Sequence, residues 1–217
     1  ILKTLLRNVL IASILSIIII LTKPLIINLI ESFFKTSQET INLVNVYVSV
    51  RVFSVPAELI IYILIGFYLG IQKTNISSLL IIVLSILNIF FSSFLVLSMN
   101  LKILGVVLGT LAASYITMII FCIYTYFFIV KKFQINFNFQ RLFVPSKIFK
   151  LLTINFDIFI RTIFLTFSFF WISYLGAKLG EDYLAVNAIL LQFILLSAFF
   201  LDAYAFATEG VIGYTIG

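Results

Sequence analysis

Long apolar stretches, separated by short polar or charged segments, make up most of the chain. No charged residue lies between Lys73 and Lys102, or between Lys102 and Lys131. A bilayer core about 30 Å thick needs roughly 20 residues of helix, and the stretches lack the alternation of a membrane barrel. The pattern predicts an all-α integral membrane protein with six transmembrane helices. These are Val9–Ile30, Leu43–Leu69, Ser77–Leu97, Ile103–Val130, Leu151–Leu175 and Leu184–Ala207.

The first predicted span has an alternative interpretation as a signal peptide, because Lys3 and Arg7 precede its apolar stretch. No small-residue cleavage site follows, and residues 22–24 lead into further apolar residues. We therefore interpret it as a membrane helix. The chain begins with Ile1 and ends at Gly217 without a polar tail, and we expect it to be a piece of a longer protein.

Composition supports the membrane interpretation. Hydrophobic residues make up 63% of the 217 residues and charged residues 10%, against about 45–50% and 25% in soluble proteins. The chain has no histidine, which excludes histidine-dependent zinc proteases and catalytic triads. Its one cysteine, Cys122, can form neither an internal disulfide nor a thiolate metal cluster. We expect no catalytic site, no metal site and no cofactor.

The basic residues predict the orientation of the spans, because cytoplasmic loops are enriched in lysine and arginine. Eight of them share the side of the linker between the fourth and fifth spans, against four on the other side. The eight are Lys3, Arg7, Lys73, Lys131, Lys132, Arg141, Lys147 and Lys150, and the four are Lys23, Lys35, Lys102 and Lys178. The N-terminal end and this linker are therefore predicted to be cytoplasmic. The net charge of +6 is spread between spans, so nucleic acid is not expected as a partner.

Charged residues inside predicted spans are candidates for function, because charge near a helix centre costs at least about 2.5–3.5 kcal/mol on insertion scales. Arg51 and Glu58 lie seven residues apart on one face of the second span, with Pro56 predicted to kink the helix between them. In the fifth span Asp157 and Arg161 have the spacing of an intrahelical pair.

Asp202 and Glu209, at the end of the sixth span, are predicted to lie near the membrane interface. For all the charged positions a structural alternative remains open, namely ion pairs that hold a helix bundle together. Eight of the nine glycines form pairs spaced four apart, which lets membrane helices approach closely. One pair, Gly176 and Gly180, is instead interpreted as a turn.

Several of these segments resemble the multidrug and toxic compound extrusion (MATE) transporters, and specifically their DinF-type subfamily. In the first half these are Val50–Leu59 (VRVFSVPAEL), Gly66–Thr74 (GFYLGIQKT), Leu87–Ile89 (LNI) and Gly105–Thr110 (GVVLGT). The match is stronger in the last third. There it rests on Asn155–Thr162 (NFDIFIRT), Leu175–Gly180 (LGAKLG), Leu184–Ala188 (LAVNA) and Leu201–Gly210 (LDAYAFATEG).

The resemblance implies a twelve-helix antiporter made of two bundles, of which this chain would hold helices three to eight. Residues 1–130 would be the last four helices of the N-terminal bundle, 131–150 a basic cytoplasmic linker, and 151–217 the first two helices of the C-terminal bundle. Both bundles would lie in the cell membrane, in contact with lipid. The expected substrates are small-molecule drugs or organic cations, and the coupling ion is H⁺ or Na⁺.

The resemblance also implies site residues. Asn88 and Thr110 match a cation-coupling cluster, although Ser92 stands where several relatives carry an aspartate. Asp157 and Arg161 match the charges of the seventh helix, and Asp157 is the best candidate for a titrating group. The predicted cavity consists of Asp157, Arg161, Asn155, Asn88, Thr110 and Asn187. A structural or gating role is predicted for the charged residues and the kinking proline of the spans, namely Arg51, Glu58, Pro56, Asp202 and Glu209.

The function predicted from the sequence is therefore secondary active efflux. We expect that the chain does not transport anything by itself. Two alternatives stay open: a lipid-linked sugar flippase of the same superfamily, and a degraded remnant that transports nothing. An intramembrane enzyme is not expected, because the spans contain neither histidine nor paired carboxylates in register.

Overall fold

A computed structural model describes residues 2–33, 38–131 and 145–216. Regular structure in these residues is helical. The α-helices are α1 (Leu2–Leu21), α2 (Lys23–Phe33), α3 (Gln38–Arg51), α4 (Val55–Gly70), α5 (Thr74–Leu97), α6 (Lys102–Thr125), α7 (Pro145–Leu179) and α8 (Glu181–Ile216). A 3-10 turn at Val52–Ser54 joins α3 to α4, and a π-helical segment at Tyr126–Lys131 follows α6.

Among the described residues, six helical segments are long and apolar enough to cross a membrane, as predicted. They are Lys3–Leu21, Ile41–Gly70, Thr74–Leu97, Lys102–Phe128, Phe156–Leu179 and Asp182–Ala205. The all-α fold and the number of spans are therefore confirmed, while the assignment to helices three to eight of a larger transporter stays a prediction.

The first span lies earlier than predicted. Lys3 and Arg7 are inside α1, and the helix is interrupted at Thr22 rather than continuing to Ile30. Pro24, which has no N–H, accounts for the interruption. The Thr22 hydroxyl donates to the Ile19 carbonyl at 3.0 Å in the turn before the proline. The prediction placed the apolar segment correctly but missed the proline's effect on where the helix divides.

The chain divides into two compact units, residues 1–142 and residues 143–217. In the first unit α6 contacts α3, α4 and α5, and α1 packs against α4. Its apolar core contains Leu5, Ile61, Leu64, Leu80 and Phe121. Since α4 likewise contacts α1, α5 and α6, the first unit is organised around the pair of α4 and α6.

The second unit is a hairpin of α7 and α8, and α7 begins at Pro145, inside the predicted linker. Residues 132–144 of that linker lie outside the described residues. Interpreting Gly176 to Gly180 as a turn was wrong for Gly176, which is helical. A Cβ on Gly176 would come within 2.6 Å of the Asn187 side chain on α8. Only Gly180, with φ +131°, forms the turn, because that conformation is unfavourable for residues with a Cβ.

Candidate functional site

The second span is broken near its middle, and the break determines where its polar groups lie. The Val55 N–H donates to the Val52 carbonyl in a 3-10 bond, and Pro56 has no N–H to donate. The Arg51 carbonyl accepts a hydrogen bond from the Ser54 hydroxyl at 2.7 Å. The tighter 3-10 bond satisfies the Val52 carbonyl that Pro56 cannot reach, and the Ser54 hydroxyl adds a side-chain donor at the same turn, where no water is present in a membrane.

Arg51 and Glu58 form an ion pair across this break. One guanidinium nitrogen of Arg51 bonds Glu58 Oε1 and donates to Ser54 Oγ at 2.6 Å, and the other donates to Glu58 Oε2 at 3.2 Å. The side chains are 34% and 22% exposed. The spacing of seven residues places both on one face, and helical side chains tilt toward the N-terminus, which brings Glu58 back toward Arg51. The pair therefore joins the two halves of one span, α3 and α4, rather than two different spans.

Two residues of α6 connect this pair and the break to the rest of the first unit. The Ser114 hydroxyl lies 3.5 Å from Glu58 Oε1 and 2.9 Å from the Thr110 carbonyl. The Tyr115 hydroxyl donates to the Phe53 carbonyl, inside the 3-10 turn, at 3.0 Å. The break in the second span is therefore in direct contact with α6, through the Tyr115 bond and the approach of Ser114 to Glu58.

The same region of α6 bonds α5 on its other side. The Asn88 amide donates to the Thr110 hydroxyl at 3.2 Å, and Thr110 donates to the Val106 carbonyl at 3.0 Å. The Ser92 hydroxyl lies 3.3 Å from Asn88 Oδ1. The structure thus brings Asn88, Thr110 and Ser92 together, while their role in cation coupling stays a prediction.

Close approach of α5 and α6 makes these bonds possible. A Cβ on Gly109 would lie 2.5 Å from the Ser92 backbone nitrogen, and one on Gly105 would lie 3.0 Å from the Leu95 carbonyl carbon. Gly66 and Gly70 have no such neighbour within 4 Å in the described structure. In the first unit, the glycine pair on α6 thus lies at a close helix contact, whereas the pair on α4 does not.

Together these side chains form a connected polar network that joins the second span, α6 and α5 of the first unit. We refer to it as the unit 1 network. Its members are Arg51, Ser54, Glu58, Asn88, Ser92, Thr110, Ser114 and Tyr115. Oxygen ligands are present, but the described residues contain no group of three or more histidine, cysteine or acidic side chains able to hold a metal ion.

The predicted residues of the second unit are not gathered in this way. Asp157, Arg161 and Asp202 are exposed, and within the described residues no salt bridge joins Asp157 to Arg161. Asn187 is half-buried at the α7–α8 contact beside Gly176. Asn155 and Glu209 are helical, but their side chains lie outside the described residues. Asn88 and Thr110 belong to the first unit and Asp157 and Asn187 to the second, so the predicted cavity stays a prediction.

Sequence reasoning missed a second polar contact between α4 and α6. The buried hydroxyl groups of Tyr68 and Thr125 lie 2.7 Å apart, and Thr125 also donates to the Phe121 carbonyl at 2.6 Å. Tyr68 is therefore the donor to Thr125. Since Glu58 meets Ser114 and Tyr68 meets Thr125, α4 and α6 run parallel. The stripe of hydroxyl residues along α6 was the available sequence evidence.

Comparison with known proteins adds one relative. The chain is 31% identical over 215 residues to the "DNA damage-inducible protein F" of Escherichia coli (strain K12). The alignment covers 99% of the chain and 47% of that protein. The chain is a DinF homologue. The DinF-type resemblance drawn from the motifs is thus confirmed, and the chain spans about half the length of the curated protein it matches. No family model matches the chain, and no solved structure matches it either.

Proposed function

We propose that the chain forms part of a MATE-like secondary transporter that expels drugs or organic cations in exchange for protons or sodium ions. The observation that carries the proposal is the similarity to the DinF protein over 99% of the chain. Six apolar helices and a polar network inside the first unit are compatible with it. A purely structural bundle has little need of such a network, whereas transporters place polar groups along the path of substrate and ions. The same similarity favours a transporter over an enzyme.

The function is tested by expressing the coding region, with any flanking sequence its gene encodes, in cells that lack their own efflux pumps. We expect a fluorescent organic cation to accumulate less in these cells than in cells with an empty vector. A protonophore or the removal of sodium should abolish the difference and identify the coupling ion. Cells that carry the protein in their membrane but show no gradient-dependent efflux of any tested cation would contradict the proposal.

We infer that Asp157 is the coupling carboxylate of the second unit. It lies four residues before Arg161 in a span apolar enough to cross a membrane, within the segment that most resembles the family. Asp157→Asn removes the carboxylate charge but keeps the shape, so we expect normal membrane insertion and loss of gradient-driven efflux. Asp182→Asn, at the end of the next span, is the matched control and should retain efflux. Normal efflux by Asp157→Asn at normal expression would remove Asp157 from this role.

Topology is part of the same proposal, with the N-terminal end and the linker cytoplasmic. Reporter fusions at Gln140 should give a cytoplasmic signal, and fusions at Lys35 and Lys178 an external one, because the basic residues favour the Gln140 side. An external signal at Gln140 would overturn this orientation.

We further propose that the six spans alone do not make a complete transport path. Rocking-bundle transporters close two bundles around a central cavity. This chain corresponds to about half of its relative. Liposomes containing only the 217-residue chain should therefore show no gradient-dependent cation movement above empty liposomes. Movement above that background would show that these six spans suffice.

A further inference from the structure

We propose that the 3-10 turn Val52–Ser54 is a pivot about which α3 tilts against a fixed α4, and that side-chain bonds across the turn hold it in its present position. The use of the pivot in transport rests on the function proposed above. The pivot itself is a property of the span, and it can be tested without any transport assay.

The two halves of the second span are held very differently. In α4, Ala57, Ile61, Leu64 and Tyr68 are buried in the first unit. In α3, by contrast, no described side chain is buried. Both halves contact α6, but only α4 contributes to the apolar core. A change of angle at the turn would therefore move α3 and leave α4 in place.

The backbone at the turn is bonded in a way that permits such a change. In a continuous helix, the carbonyls before a break accept hydrogen bonds from backbone N–H groups further along. Here the Phe53 carbonyl accepts from the Tyr115 hydroxyl of α6, and the Ser54 hydroxyl donates to the Arg51 carbonyl inside the turn. An unsatisfied carbonyl in lipid costs several kcal/mol, so the Tyr115 donor stabilises the break. Hydroxyl groups rotate, and they can follow a moving carbonyl without unwinding either helix.

The Arg51–Glu58 pair sets the angle of the pivot. Arg51 is the last residue of α3 and Glu58 lies in the first turn of α4, so their contact bridges the two helices directly. On the α4 side of the bridge, Glu58 Oε1 lies 3.5 Å from the Ser114 hydroxyl of α6, and α4 is held by its buried residues. Tilting α3 away from its present direction requires Arg51 to release Glu58. The ion pair is therefore the lock at the turn, and the Tyr115 bond and the bond from the Asn45 amide of α3 to Glu31 Oε1 of α2 are further restraints.

The experiment measures the distance between α3 and α6 with spin labels. Cysteines replace the exposed Leu43 on α3 and Leu104 near the start of α6, and the exposed Cys122 is changed to serine. A tilt of about 20° at the turn displaces Leu43 by roughly 5 Å. Dipolar broadening of the electron paramagnetic resonance spectrum in liposomes reports this displacement. The chain is expressed with any flanking sequence its gene encodes.

We expect one narrow distance for the labelled parent chain and a second, longer distance in Glu58→Gln, which weakens the lock without changing side-chain size. Tyr115→Phe removes only the bond to the Phe53 carbonyl and should broaden the distribution less. Tyr68→Phe is the matched control, because it removes an α4–α6 hydrogen bond far from the turn and should leave the distance unchanged. Adding Pro56→Ala to Glu58→Gln restores a backbone donor and should recover the single distance.

Unchanged distances in both Glu58→Gln and Tyr115→Phe, with helix content retained by circular dichroism, would show that the turn is rigid and the proposal wrong. A distance change in Tyr68→Phe as large as in Glu58→Gln would also contradict it, because the effect would then not depend on the turn. Efflux measured on the same variants separates the two proposals. Efflux without any movement of α3 overturns the pivot alone, and movement without efflux overturns the transport function alone.

Discussion

The two units of this chain have similar membrane-compatible composition but very different internal structure. In the first unit, the buried share of the most apolar part of the four spans is, in chain order, 22%, 33%, 6% and 33%. In the second unit it is 0% for both spans. Apolar sequence alone does not explain this contrast, because all six spans are strongly apolar.

Small residues and polar bonds explain the contrast better. Lipid tails are as apolar as leucine, so the hydrophobic effect gives membrane helices no reason to associate, and packing depends on close approach and interhelical hydrogen bonds. The first unit has Gly105 and Gly109 at a tight helix contact and the unit 1 network across three spans. In the second unit, the described close contact is at Gly176 and Asn187.

The largest expected difference between the units concerns their charges. Glu58→Leu leaves Arg51 without its carboxylate, and we expect a loss of about 2 kcal/mol in the free energy of unfolding. This expected loss is smaller than the cost that insertion scales give for a charge at a helix centre, because 34% of the Arg51 side chain is exposed. Asp157→Leu, in the second unit, should cost nothing, since no salt bridge to Arg161 is lost there. Unfolding by sodium dodecyl sulfate in mixed micelles measures both.

The double variant Arg51→Met with Glu58→Leu is the control for this prediction. Removing both charges should recover most of the lost stability, because no uncompensated charge remains. Equal losses for Glu58→Leu and Asp157→Leu would mean that the ion pair does not distinguish the units.

A smaller effect is expected at the glycines. Gly109→Ala places a Cβ 2.5 Å from the Ser92 backbone, which must move, and should cost about 1.5 kcal/mol. Gly66→Ala meets nothing within 4 Å and should be neutral or slightly stabilising, because alanine favours helix. In the second unit, Gly176→Ala meets the end of the flexible Asn187 side chain and should cost less than about 0.5 kcal/mol.

The same unfolding assay ranks these three glycine variants. A loss for Gly176→Ala as large as for Gly109→Ala would show that the α7–α8 contact is as tight as the α5–α6 contact. The comparison between the units would then need revision.

The smallest expected effect is at Tyr68. Tyr68→Phe removes the hydrogen bond to Thr125 and should lower the free energy of unfolding by about 0.6–1 kcal/mol, as is usual for such bonds in membranes. Tyr204→Phe, on an exposed position of α8, is the matched control and should change nothing. A double-mutant cycle with Thr125→Val isolates the bond. A coupling energy of zero would show that the two hydroxyl groups contribute independently.

Much of the architecture could be predicted because it depends on local composition. Comparing the length of each apolar stretch with the thickness of the bilayer was sufficient to predict six spans. Pro56 was sufficient to predict a break in the second span. The first span was misplaced because the stretch runs on past Pro24, and only the hydrogen bonding shows where the helix is interrupted.

The candidate site was predicted less completely. The proximity of Asn88 and Thr110 followed from the resemblance, and the Arg51–Glu58 spacing allowed the pair that is observed. The partners supplied by Tyr115 and Ser114 could not be predicted, because a single span does not specify how it is rotated against its neighbour. A rotation of α6 by one residue, about 100°, would turn both hydroxyl groups away.

The sequence by itself determined that this protein is helical, lies in a membrane and is related to DinF proteins, because hydrophobic length and motif content are properties of short segments. Tertiary structure alone decided which polar groups meet. The acid of the second span pairs with Arg51 and lies 3.5 Å from the Ser114 hydroxyl of α6, whereas Asp157, also in an apolar span, remains exposed. The physical reason is that a buried polar bond needs two helices at a fixed distance and rotation, and close contacts such as Gly109 against Ser92 set these for the first unit.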